Sequence, residues 1–124
     1  MKKIKQASSE HLLEVVVNAI QEVKGEEIRS LDLRNIPNSV ADFFVVCHGN
    51  SNTQVQAIAN RVEKDTIEAF NDRPWHTEGV RNAEWILMDY SNIVVHVFYK
   101  EAREFYALEE LWADAEVKEY EYEV

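Results

Sequence analysis

Apolar positions along the chain change period several times, and each change marks an element. Leu12, Leu13, Val16, Ala19, Ile20 and Val23 recur at helical spacing and give a first helix one apolar face. Ser8 or Ser9 is its expected cap, Glu10 suits its first turn, and Gly25 is expected to end it. Ile28 to Leu33 then alternates enough to read as a strand, and Asn35 to Ser39, with Pro37, reads as a loop. Phe43 to Cys47 is a continuous apolar run of strand length, the pattern of a buried central strand. Ser51, with Gln54 three residues later, matches a capping box. Val55, Ile58, Ala59, Val62, Thr66, Ala69 and Phe70 continue from it as the stripe of a second helix, with Pro74 beyond its end. Trp75 to Gly79 reads as a short edge strand, and a polar link leads into two further strands, Trp85 to Tyr90 and Ile93 to Tyr99.

Those last two strands and the helical run after them organise the chain. Ser91-Asn92 is expected to supply a two-residue hairpin turn, with Asn tolerating the positive φ it needs. Alternation sets Ile86, Met88 and Tyr90 on one face of their strand and Trp85, Leu87 and Asp89 on the other. Glu101 to Ala115 is expected to be helical, as one run or two short pieces, with Phe105, Leu108 and Trp112 on one face, and Glu116 to Val124 reads as an acidic, tyrosine-bearing tail. The predicted order is α-β-β-α-β-β-β-α, an α/β (α+β) single domain over residues 1–115 with a mixed sheet and packed helices, followed by a tail over 116–124.

Composition narrows the function classes. A chain of 124 residues makes one domain that buries roughly two-thirds of its unfolded surface. The single cysteine, Cys47, allows no internal disulfide framework and fits a reducing compartment. The basic start, Met1 to Gln6, is followed by no apolar signal region, so the expected location is cytoplasmic. With 23 acids against 13 bases the formal charge is −10, which argues against non-specific nucleic-acid binding and suits basic partners.

No catalytic constellation emerges from the residues. Gly49-Asn50-Ser51, between a strand and a helix, is where an anion could meet a helix N-terminus. Nucleotidyltransferases follow such a turn with paired carboxylates on a strand. Here Asp89 has Ser91 two residues on, so a same-face acidic pair is missing. Cys47 and His48 are neighbours on a strand and point to opposite faces; His76 and His96 are isolated, and no spacing resembles a zinc site. No cofactor or metal is expected. An open face carrying Trp and Tyr would instead be a protein-binding patch.

Two blocks carry a resemblance to a known family. One is Ser30 to Leu33 and Ala41 to Ser51, running into Gln54-Val55 and Ile58-Ala59. The other is Glu78-Gly79, Trp85 to Tyr90, Val94 to Phe98, Glu101, Arg103 and Tyr106 to Trp112. In order and spacing they resemble the ribosomal silencing factor S (Iojap-like) family over roughly Leu12 to Ala115. That resemblance implies a nucleotidyltransferase-like fold without the catalytic acids. It further implies a translation repressor, not an enzyme, that binds the large ribosomal subunit through large-subunit ribosomal protein fourteen and blocks subunit joining during starvation. It carries Trp85, Met88 and Tyr90 over as apolar anchors, flanked by Val80 and Glu84. Glu78 and Asp89 come over as acids facing basic groups, with Tyr106 in support. A homodimer in the free state is also implied. Ser91-Asn92 departs from the Gly-Asp turn usual in the family. A large-subunit biogenesis factor and a metal-dependent nucleotidyltransferase using Gly49, Ser51 and Asp89 are the alternative readings.

Overall fold

A computed structural model describes residues 8–121; the basic Met1 to Gln6 stretch and the last three residues of the expected tail lie outside them. Its elements are α1 (Ser9–Glu22), β1 (Glu26–Asp32), β2 (Phe43–Gly49), α2 (Asn52–Phe70), β3 (His76–Glu78), β4 (Trp85–Asp89), β5 (Ile93–Tyr99), α3 (Lys100–Tyr106), α4 (Leu108–Leu111) and β6 (Glu116–Tyr120). Six strands form one sheet in the order β3-β4-β5-β2-β1-β6. β2 and β5 pair in parallel at its centre and every other pair is antiparallel. The mixed sheet follows from the chain path: β2 and β5 lie side by side in the same direction, so the connection between them, carrying α2, β3 and β4, must cross over. No helix among the described residues is long and apolar enough to cross a membrane.

Both central strands are buried on both faces, which explains why their apolar runs do not alternate. One core layer joins Phe43, Val45, Cys47, Val95, Val97, Ile86 and Met88 to the apolar stripes of α1 and α2. The second layer sets Phe44, Val46, Val94, Phe98, Leu31 and Leu33 against Leu108 and Trp112. Two long helices cover the first face. The short α3 and α4 cover part of the second.

Local chemistry explains the element ends. Ser8 Oγ accepts the His11 N–H at 3.2 Å and caps α1. Ser51 Oγ accepts the Gln54 N–H at 3.0 Å and caps α2, while Gln54 Oε1 accepts from the Asn50 N–H at 2.8 Å. The Gln54 amide also donates to the Lys24 carbonyl at 3.0 Å, so the start of α2 closes the end of α1. Lys24, not Gly25, takes the left-handed conformation there, with φ 65°. Gly25 is needed for space instead: a Cβ on it would lie 2.3 Å from Ile20 Cγ2.

Three other expectations change. Residues Glu116 to Tyr120 are not a tail: they form β6 on the free edge of β1. Their burial is too slight to leave an apolar signature, and the strand is held by its backbone ladder and by a 3.0 Å bond between Ser30 Oγ and Tyr120 Oη. The C-terminal helical run falls into two short pieces at Ala107, which has φ 46°, as the sequence allowed, but it ends at Leu111 rather than Ala115. The β4–β5 connection keeps its expected two residues, closed by the Tyr90 N–H donating to the Ile93 carbonyl at 2.8 Å, but its internal geometry differs. Asn92 N–H donates to the Tyr90 carbonyl at 3.0 Å, a γ-turn centred on Ser91, whose φ is 80°. Ser91, not Asn92, therefore carries the positive φ, and Asp89 Oδ1 steadies it by accepting its N–H at 2.7 Å.

Candidate functional site: an aromatic platform on the second sheet face

β4 passes Trp85, Leu87 and Asp89 to the face that α3 and α4 only partly cover. Trp85 and Leu87 are half-buried. Trp85 packs on Phe98 with ring centres 4.8 Å apart and on Tyr106 at 4.9 Å. Its indole N–H donates to His96 Nδ1 at 3.1 Å. Tyr106 is 49% and Phe105 80% exposed, so the end of α3 extends this aromatic surface outward. Glu78, paired with Leu87 across β3 and β4, lies on the same face, and Glu84 is exposed just before Trp85. An apolar centre with an acidic margin results, the composition of a protein-docking surface rather than of a small-molecule cleft.

The site residues expected from sequence divide here. Trp85, Tyr106, Glu78, Glu84 and the half-buried Asp89 belong to or border this surface. Met88 and Tyr90 do not. They are 1% and 4% exposed and sit in the opposite core layer, under the long helices. Tyr90 Oη bonds Thr66 Oγ1 of α2 at 2.9 Å, and burial pushes its hydroxyl up to about 12, so it stays protonated. Both are packing residues, because strand alternation sends them to the face the helices occupy. Val80 is exposed, and its carbonyl accepts from Gln56 of α2 at 3.0 Å, which ties the β3–β4 link to α2. Leu87 and Phe105 are the members that residue-level reasoning left out. Alternation alone placed Leu87 beside Trp85; nothing in the helical pattern marked Phe105 as exposed.

Beneath the platform's far side lies a polar network. Arg103, nearly buried, donates to Glu109 Oε2 at 2.9 Å and bonds His48 Nδ1 at 3.0 Å, and Arg29 holds the same Glu109 oxygen at 2.8 Å. Burial works to raise the Glu109 carboxyl, but the bonds from Arg103 and Arg29 outweigh it and hold the group below its ordinary value. Burial and then the Arg103 charge hold His48 below its usual range, so it is neutral. These side chains tie α3 and α4 to β1 and β2. Arg103 stood out in sequence only within the second block of family residues; by residue pattern alone, a charged residue on a short helix reads as solvent-facing.

The other candidates stay structural. Cys47 is buried and its thiol is pushed up to about 12, which leaves it a poor nucleophile. Ser51 caps α2, and the Gln54 side chain fills the turn beside Gly49. Among the described residues no group of three or more His, Cys, Asp or Glu side chains could hold a metal ion.

Residues 6–123 match the family model of the ribosomal silencing factor during starvation, RsfS. The chain is 43% identical over 114 residues to the ribosomal silencing factor RsfS of Halalkalibacterium halodurans, covering 92% of this chain and 96% of that one. It is 40% identical to that of Bacillus subtilis, over 90% of this chain and 92% of that one. A crystal structure of a Chromobacterium violaceum protein superposes with a TM-score of 0.82 at 32% identity, covering 86% of this chain and 88% of that one. One from Bacillus halodurans superposes with a TM-score of 0.75 at 42% identity, over 84% and 95%. The match spans both blocks of residues singled out above and also takes in β6, and with it the chain belongs to the RsfS family of ribosomal silencing factors.

Proposed function

We propose that this protein represses translation by binding the large ribosomal subunit through large-subunit ribosomal protein fourteen and excluding the small subunit by bulk. The observation that carries the reading is the platform of Trp85, Leu87 and Tyr106, a partly open aromatic surface with Glu78 and Glu84 at its margin. Buried aromatic anchors supply most of the energy at such interfaces, and an acidic rim suits a basic partner. Steric exclusion needs no chemistry, so the protein acts as a binding factor rather than an enzyme, in the cytoplasm. The same surface is the one through which two free copies would pair, in competition with the ribosome.

Co-sedimentation with separated subunits tests this. Wild type is expected to travel with the large subunit and to suppress formation of joined ribosomes. Trp85→Ala should stay at the top of the gradient, and Tyr90→Phe, altered only in the core, should travel like wild type. Failure of wild type to bind the large subunit at low salt, or a Trp85→Ala variant that binds normally, would overturn the reading.

A second reading has its own support. The chain is 27% identical, over 73% of its length and 41% of the relative's, to the mouse mitochondrial assembly of ribosomal large subunit protein 1. By that reading the same surface acts during large-subunit assembly, and loss of the protein would accumulate precursor particles instead of releasing subunit joining.

A further inference from the structure

We propose that His96 is a positioning residue for Trp85: its Nδ1 holds the indole N–H, so the aromatic platform is formed before any partner arrives. This rests on the reading of the Trp85 surface as the docking site.

The register of the sheet brings the two residues together. Trp85 stands opposite Phe98, and His96 stands opposite Leu87, so Trp85 and His96 are diagonal neighbours across β4 and β5 on one face. Aromatic side chains reach each other at that diagonal. The indole nitrogen can only donate, and the 3.1 Å bond to His96 therefore needs Nδ1 as the acceptor and the imidazole proton on Nε2. That proton has no hydrogen-bond partner among the described residues, although the ring is buried. Phe44 and Phe98 flank it with ring centres at 4.6 Å and 6.4 Å.

This pattern identifies what the histidine is for. A side chain in the middle of an aromatic layer, with one polar atom unsatisfied, is a worse core residue than Phe or Leu. The bond that it does make is to Trp85 alone. An indole without that acceptor gains by turning its N–H toward solvent, which reverses the edge it shows to Tyr106 and to a docking protein. Fixing the ring in advance removes that ordering cost from binding.

The test has one arm in the free protein and one on the ribosome. In 1H–15N spectra the Trp85 indole N–H, assigned by its loss in Trp85→Phe, is expected to be protected from exchange in wild type. It should stay protected in His96→Asn, which keeps an acceptor near the Nδ1 position, and exchange freely in His96→Phe and His96→Leu. Large-subunit affinity should fall about tenfold in the Phe and Leu variants and be largely retained in His96→Asn. In a Trp85→Phe background, His96→Phe should change affinity no further. An indole N–H that stays protected in folded His96→Phe or His96→Leu would overturn the proposal, as would an equal affinity loss with Trp85 already replaced. A Trp85→Ala variant of normal affinity would overturn the docking surface instead, and the exchange arm would still decide whether His96 holds the ring.

Discussion

His96 shows how a single buried group writes itself into the behaviour of the protein. Burial lowers its pKa to about 4, and the rings around it, Phe44, Trp85 and Phe98, carry no charge that could oppose the shift. A histidine depressed in the folded state favours folding when neutral, so its contribution is complete above the unfolded value of 6.5 and is lost as pH falls towards 4. His48 is shifted in the same direction by its own burial and by Arg103. Glu109 and Asp32, held below their ordinary values of 4.5 and 3.8, lose their contributions only at lower pH. Urea titrations at pH 7 and pH 5 should therefore show wild type losing about 2 kcal/mol through His96 alone, at about 1.4 kcal/mol per pH unit. The His96→Asn variant should lose correspondingly less over the same interval. Equal losses in the two proteins would show that His96 titrates normally.

Among the connections between elements, the link between β3 and β4 is tightly constrained by geometry. Gly79 has φ 85°, and a Cβ on it would lie 2.0 Å from the Trp85 carbonyl oxygen. The adjacent turn is closed by the Ala83 N–H donating to the Gly79 carbonyl at 2.9 Å. Gly79→Ala therefore forces the backbone away from the start of β4, where Trp85 begins the platform. It should cost about 2 kcal/mol or more in unfolding titrations and weaken large-subunit binding as well. A variant as stable as wild type would show that the link can move freely. β6 is governed by a different logic. Its charges, Glu116, Lys118 and Glu119, sit on the outermost strand of the sheet, where they discourage pairing with other chains.

For the molecule as a whole, charge and shape divide the work. A formal charge of −10 disfavours nucleic acid and suits basic proteins, and in the proposed function the apolar platform is where such a partner docks. Reversing Glu78 and Glu84 together to Lys should slow association with the large subunit about tenfold at low salt, and high salt should erase the difference. Dissociation should change little, since rim charges act mainly on encounter. An unchanged association rate would move the contact away from this margin.

Much of the architecture is dictated by local pattern. The stripes of α1 and α2, the unalternating runs of β2 and β5 and the cap at Ser51 are short-range features, and each is readable from a few neighbouring residues. The division of β4 into two faces is equally local, which is why Trp85 was separable from Met88 and Tyr90 before the fold was known. Which of those faces lies under long helices is a long-range matter. It depends on the crossover that seats α2 against one side and on the Arg103–Glu109 network that holds α3 and α4 against the other. β6 was hidden for the same reason: an exposed edge strand buries almost nothing, and only its ladder with β1, more than 80 residues away along the chain, makes it a strand. Apolar periodicity thus determined the elements, and the distant pairings chose which aromatic residues remain on the surface.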